Sequence, residues 1–428
     1  MVAPLLIKRA ILLAKVEVTE GVDASPTPAA DALLVNEPDF APDLTALERN
    51  PVRFDIGMLP HIMGRKVGGM TFQKEMRSNG KTNSGLIADV AQLGVLLKGC
   101  AMSETAQAGT GTLGPVIADP TNDAAEPADL VWAATTGSNF TQPVYYDIEV
   151  TTGGISGTAE VKITPDAQAI ADSEDSAQTA VVVTSATALQ LKSGGGGAAI
   201  TPTWTGSLVL GDKYRIQTYS PSIAYRPIST SHDSLTLYLY FDGTLHKMFG
   251  SRGTVTFSAD AGGLGLFTFT FTGTYEAMTD VALPTSTVVH EAQLPSMFEL
   301  SKLRVDDFDS VVANVSFDAA NNVVIREDSR SSDGYSGVLI TSRNPTGGID
   351  PETTLIANYD YWLKLKDATQ VRLACRFGVT AGNIIWFLAP KTQYTGLSYQ
   401  ARDELRVYDA GLRFARDQGN DDYEFIFA

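Results

Sequence analysis

The chain of 428 residues holds only two cysteines, Cys100 and Cys375. That excludes a disulfide-stapled scaffold and points to two reduced thiols in a chain folded in a cytosol. Histidine is almost as scarce: His61, His232, His246 and His290 stand alone, none with a second histidine or a cysteine at a metal-ligand spacing, so no metal and no cofactor is expected. Basic charge is short. Thirty-two lysines and arginines face 49 acidic residues, a net charge of −17, which excludes a protein that grips nucleic acid by its phosphates. No apolar run approaches the roughly 18 residues of a membrane helix. The long uncharged stretch from Ser193 to Gly211 is glycine-, threonine- and proline-rich, and the chain reads as soluble. Lys8 and Arg9 interrupt the apolar residues near Met1, leaving Ala10 to Ala14 too short for a signal-peptide core, so export is not expected.

Catalytic signatures are missing too. Gly109-x-Gly111-x-x-Gly114 has the spacing of a dinucleotide loop, but Pro115 follows it and no strand-turn-helix surrounds it. The Gly194 to Gly197 run lacks the Lys-Ser/Thr of a phosphate loop. No Gly-x-Ser-x-Gly occurs, no calcium loop occurs, and the acidic clusters Asp306-Asp307-x-Asp309 and Asp421-Asp422 read as solvated faces. The chain is not expected to be an enzyme.

What is present is period-two alternation. Leu235, Leu237, Leu239 and Phe241 share one side of a strand, Val255 and Phe257 alternate with Thr254, Thr256 and Ser258, and Phe267, Phe269 and Phe271 alternate with Thr268, Thr270 and Thr272. These strands pair an apolar face with a face of short hydroxyls, Asp242-Gly243 marks a hairpin turn, and the chain is mainly β. Two amphipathic helices are expected. One carries Leu86, Ile87, Val90, Leu93 and Leu97, with Asn83 or Ser84 as cap; the other begins at Asp350-Pro351-Glu352 and aligns Leu355, Tyr359, Trp362 and Leu363 on one side. Composition turns glycine-, alanine-, threonine- and proline-rich near residues 106–128 and shifts again around 219–227. This divides the chain into 1–112, a small β-sandwich at 113–222 tethered by linkers, and 223–428. The proline-bearing segment from Asp39 to Gly69 reads as a long loop.

Ordered motifs across both outer parts carry a resemblance. Leu47-Glu48-Arg49-Asn50-Pro51-Val52-Arg53, Gly57, a strand near Val67 to Met76 and Leu96-Leu97-Lys98-Gly99-Cys100 come first. Ser222 to Pro227, Asp242-Gly243, His246-Lys247, Gly250-x-Arg252-Gly253-x-Val255 and Phe271-Thr272-Gly273-x-Tyr275 follow, then Gly334 to Thr341, Ile349 to Glu352 and a terminal strand with Phe425 and Phe427. Over residues 5–105 and 222–428 the chain resembles the major tail tube proteins of long-tailed, non-contractile bacteriophages. The Asp147-to-Ala159 segment is similar to the small sandwich that some of them carry.

The resemblance implies a tail-tube β-sandwich or flattened barrel with a flanking helix and an inserted β-sandwich domain. It implies hexameric rings stacked into a virion tube assembled in the host cytoplasm. The implied partners are further copies of the chain, the tape measure protein, the tail terminator and distal tail or baseplate proteins, with double-stranded DNA passing through unbound. On this reading Glu48, Arg49, Arg53, Phe54, Ile56, Met58 and Leu59 are expected at a subunit interface, and Thr254, Thr256, Thr268, Thr270 and Thr272 on the lumen wall. A secreted surface protein or adhesin is the competing class.

Overall fold

The computed structural model describes residues 6–428 apart from 7, 81–91, 108–111, 115, 120–121, 123–126, 128, 136–139, 141–142, 166–177, 192–198, 285–287, 291, 300–301, 307, 332–333, 381 and 418. The protein is mainly β, and two helices stand among the described residues. Eight antiparallel strands form its broadest surface. Asn36–Leu47 pairs with Ile62–Glu75, which pairs with Leu266–Tyr275, then Thr244–Asp260, Val312–Asp318, Thr346–Pro351, Leu405–Ala415 and Ile385–Arg402.

Two of these strands serve both layers. Thr244–Asp260 shifts register between Phe249 and Arg252, where Gly250 adopts φ +57°, and its first half pairs with Leu235–Phe241, itself paired with Ala10–Val16. The start of Ile385–Arg402 pairs with Val371–Phe377 on one edge and Glu424–Phe427 on the other. Glu424–Phe427 in turn pairs with Ser222–Pro227, and that strand with Met102–Gln107.

Phenylalanine fills the space between the layers. The ring of Phe257 lies 5.2 Å from Phe387, 5.4 Å from Phe317, 5.7 Å from Phe377 and 5.9 Å from both Phe267 and Phe425, measured between centroids. The alternation in sequence thus becomes a hub in space. The first helix, Gln92–Gly99, adds Leu93, Leu96 and Leu97 to the same core; Asn83 to Val90, its expected first turns, lie outside the described residues. A Cβ on Gly99 would stand 2.5 Å from Leu235 and 2.9 Å from Phe271, so only glycine lets this helix end so close to the sheet. Cys100 and Cys375 are both buried and free.

Residues 112–219 build their own sheets. Val144–Thr152 is flanked by Glu160–Pro165 and Lys213–Tyr219, a second small sheet contains Ala199–Thr203 and Val131–Ala134, and Trp132, Ile148, Val161, Ile200 and Ile216 lie in a separate core. The expected linker at residues 219–227 is absent. Tyr219 ends one strand and Ser222 begins the next, and Tyr145 and Tyr219 pack with Ala374, Trp386, Leu388 and Ile426 of the larger body. Polar contacts reinforce this joint: Glu424 accepts from Gln217 Nε2 at 3.0 Å, Tyr219 Oη at 3.1 Å and Arg226 Nε at 2.7 Å, and Arg215 bridges Asp147 and Asp417.

Two further expectations are corrected. The segment from Asp39 to Gly69 is no loop but the greater part of a long hairpin, with Leu47 opposite Ile62 and a turn at 48–61. Asp350-Pro351 does not open a helix. It ends the strand Thr346–Pro351, and the Asp350 carboxylate accepts from the backbone N–H groups of Ala313 and Asn314, where the neighbouring strand bulges. The second helix is Tyr361–Lys366, capped by Asp360, whose side chain accepts from Leu363 N. Tyr359 and Tyr361 are buried, while Leu355, Trp362 and Leu363 face outward.

Candidate assembly surfaces

The hairpin of Asn36–Leu47 and Ile62–Glu75 is an arm. Its inner strand pairs with Leu266–Tyr275 only from Glu75 down to Val67, so among the described residues the stretch from Lys66 to the turn extends past the sheet with no partner strand but its own hairpin mate. At the turn, Arg53 donates to Asp55 Oδ1 at 2.8 Å and to the Gly57 carbonyl at 2.6 Å, and Gly57 N donates to Asp55 at 3.1 Å. This knot fixes the local path and turns apolar side chains outward. Val52, Phe54, Ile56 and Met58 are fully or almost fully exposed, Glu48 and Arg49 are exposed beside them, and Leu59 is half-buried. Scattered surface apolars are ordinary; a run of four on one protruding turn is the kind of surface that a partner covers.

The five threonines lie together on the face of the eight-strand surface opposite the phenylalanines. Thr254 stands opposite Thr270 and Thr256 opposite Thr268, while Thr272 pairs with Arg252 on one side and Gly69 on the other. Thr270 is exposed, Thr256 and Thr268 are half-buried, and Thr71 Oγ donates to Thr270 Oγ at 3.4 Å. The ends of the strip are occupied. Thr254 Oγ accepts from Asn321 N at 3.1 Å, and Thr272 lines a groove of about 480 Å³ between the arm and the strand Asn321–Glu327. The strip is wider than the sequence reading placed it: Ser258 stands opposite Ser316, Thr256 opposite Asp318, and Asp318 opposite Thr346. The same alternation was there to read around Val315 and Phe317. The arm tip and the strip share the strand Ile62–Glu75 but do not meet, because the tip lies beyond the sheet's end.

The surface ends on two bare edges. Among the described residues, Asn36–Leu47 pairs only with its hairpin mate, and Ile385–Arg402 has no strand on its outer edge past Thr392. Unpaired backbone donors and acceptors along such edges are templates for another chain.

Groups that could carry chemistry are engaged structurally. Burial pushes both thiols up, keeping them protonated and unreactive. Asp306 pairs with Lys364, Asp309 with Arg304 and Asp422 with Arg343, and Asp421 accepts from the N–H groups of Asp417 and Gly419. Burial lowers the pKa of His232 and of His246, so both imidazoles are neutral at pH 7. No protein-family model matches the chain, and a search of curated proteins returns no match.

Proposed function

We propose that the protein is a tail tube subunit of a long-tailed, non-contractile phage. It assembles without catalysis or cofactor into hexameric rings that stack into the tube through which double-stranded DNA leaves the virion. The observation that carries this reading is the pair of bare edges on one broad antiparallel surface, joined to an arm whose tip is apolar and exposed. Edge strands of neighbouring copies pair laterally, and six copies close an inner barrel. The hydroxyl strip then lines the channel: short uncharged side chains offer phosphates no ion pair, and a chain of net charge −17 repels a polyanion over a screening length of about 8 Å at physiological salt. Residues 112–219 sit outside, since a unit of that size would block a channel sized for a duplex. The tape measure protein, the tail terminator and distal tail proteins are the expected partners, and assembly takes place in the host cytoplasm.

Negative-stain microscopy of the purified protein at rising concentration tests the reading. Rings or hollow polymers are expected; a monodisperse single copy at every concentration rejects it, and is what a secreted surface protein would give.

A further inference from the structure

The broad surface repeats itself. Taken in chain order, its strands Asn36–Leu47, Ile62–Glu75, Thr244–Asp260 and Leu266–Tyr275 stand side by side as first, second, fourth, third. Val312–Asp318, Thr346–Pro351, Ile385–Arg402 and Leu405–Ala415 stand in that same order. The second layer follows suit. Ala10–Val16 pairs with Ala32–Leu33 and with Leu235–Phe241, as Lys302–Val305 pairs with Phe308–Asp309 and with Val371–Phe377. A helix comes between the second and third surface strands of each set, Gln92–Gly99 in one and Tyr361–Lys366 in the other. Each set also ends with a strand laid on the start of its long bent strand: Asp280 opposite Thr244 in the first, Phe427 opposite Ile385 in the second.

The registers agree to the residue. From Leu235 to Leu237 the partner steps from Ser251 to Met248, and from Val371 to Leu373 it steps from Thr392 to Ala389, so both long strands carry an extra residue at the same place. One row across the first set reads Phe40, Met70, Phe271, Gly253; the matching row of the second reads Phe317, Gly347, Leu412, Tyr394. Packing agrees too. Phe40 lies 4.5 Å from His246 and Phe317 lies 4.9 Å from Phe387, and His246 and Phe387 are themselves counterparts, opposite Leu239 and Cys375.

The two sets meet at a seam, where Thr244–Asp260 ends the first and Val312–Asp318 begins the second. There Phe257 stands opposite Phe317, both buried, with ring centroids 5.4 Å apart. The two bare edges are the counterparts of these seam strands: Ile385–Arg402 corresponds to Thr244–Asp260, and Asn36–Leu47 to Val312–Asp318. Tyr399, opposite Tyr408, takes the place of Phe257, opposite Phe267, and Phe40 takes the place of Phe317. Yet Tyr399 is 53% exposed, because among the described residues no strand lies on its outer edge.

We propose that the chain is an internal duplication and that its own seam is the template for the contact between chains. The Ile385–Arg402 edge of one copy pairs antiparallel with the Asn36–Leu47 edge of the next, placing Tyr399 opposite Phe40, Ser398 opposite Ala41 and Gln400 opposite Asp39. The contact joins unlike edges, so it generates a ring when the rotation closes. It rests on the self-assembly reading for its occupant, a second copy of this chain, and adds the register and the count. Each chain brings two repeats; the sixfold ring is a ring of repeats, and three chains fill it.

The test is a cysteine pair in the full-length chain, Ala41→Cys with Ser398→Cys, both at exposed positions. Residues opposite each other on antiparallel strands have Cα atoms about 4.5–5.5 Å apart, within the range of a disulfide. The native thiols are buried and do not compete. Circular dichroism confirms the fold, and after mild oxidation, denaturing electrophoresis without reductant counts the chains joined. Species of two and three chains and none larger are expected, while Asp43→Cys with Ser398→Cys, displaced along the strand, should stay at one chain. Ladders that run past three chains overturn the count. Equal cross-linking by the displaced pair, or none by the predicted pair in a chain that still forms hollow tubes, overturns the register and leaves the tube standing. Three-chain species in a protein that never forms a hollow tube would uphold the seam and reject the tube.

Discussion

Phe257 touches five other phenylalanines from both layers, so its removal should be felt across the whole core. Phe257→Ala is expected to cost about 3–5 kcal/mol in denaturant unfolding, the range for an aromatic whose cavity cannot collapse. Glu17 is an acid held by neutral donors: its carboxylate accepts from Ser234 Oγ at 2.7 Å, Thr236 Oγ at 2.9 Å, and the N–H groups of Gly21 and Gly250, both at 2.8 Å. Glu17→Ala leaves buried donors unmet at the bend of Thr244–Asp260 and should destabilise by about 1–3 kcal/mol. His232 and His246 set a pH dependence. Their folded pKa values lie below the ordinary 6.5, so as pH falls through 6.5 the unfolded chain takes up protons first and stability declines; above 6.5 the contribution is complete. Unfolding midpoints measured between pH 7.5 and 5.5 should fall, and a double His→Gln variant at these positions should flatten that slope.

At the scale of the element, the strands with one aromatic face were legible because burial on one side forces period two, and Phe267 to Thr272 announces it. The arm was not legible, because Asn36–Leu47 is polar and carries Pro38 and Pro42. On an edge strand with no outer neighbour, proline costs no ladder hydrogen bond, so the residues that read as loop punctuation are tolerated in a hairpin. Asp350-Pro351 misled for a related reason: a carboxylate that accepts from two successive backbone N–H groups serves a bulged strand as readily as a helix start. The linker expected at 219–227 failed because composition does not report docking, and Tyr219 finds its partners some 200 residues away. The hydroxyl strip yields its own prediction. On the proposed tube reading, changing Thr268 and Thr270 together to lysine should leave rings intact and slow DNA ejection at low salt, with added salt restoring the rate. Normal low-salt ejection from tubes bearing both lysines would remove the strip from the channel.

For the molecule as a whole, the joint between residues 112–219 and the larger body is a buried contact, which changes what removal should do. Replacing that unit with a glycine-serine linker uncovers Trp386, Leu388 and Ile426, so the shortened chain should aggregate, and the further change Trp386→Gln should restore solubility and permit rings. Ring loss in a soluble, folded shortened chain would instead make residues 112–219 part of the polymer contact. The strand Glu424–Phe427 has a consequence for how the protein is made. All four of its residues are buried between Ser222–Pro227 and Ile385–Arg402, and Phe425 packs edge to face against Phe257 in the hub. During synthesis the ribosome delivers that strand after every other part of the core, so the nascent chain holds an open seam until residue 427 has left the exit tunnel. Chains cut short before Glu424 should therefore remain sensitive to protease, and a stop codon placed there should leave a product for the cell's chaperones rather than a folded protein.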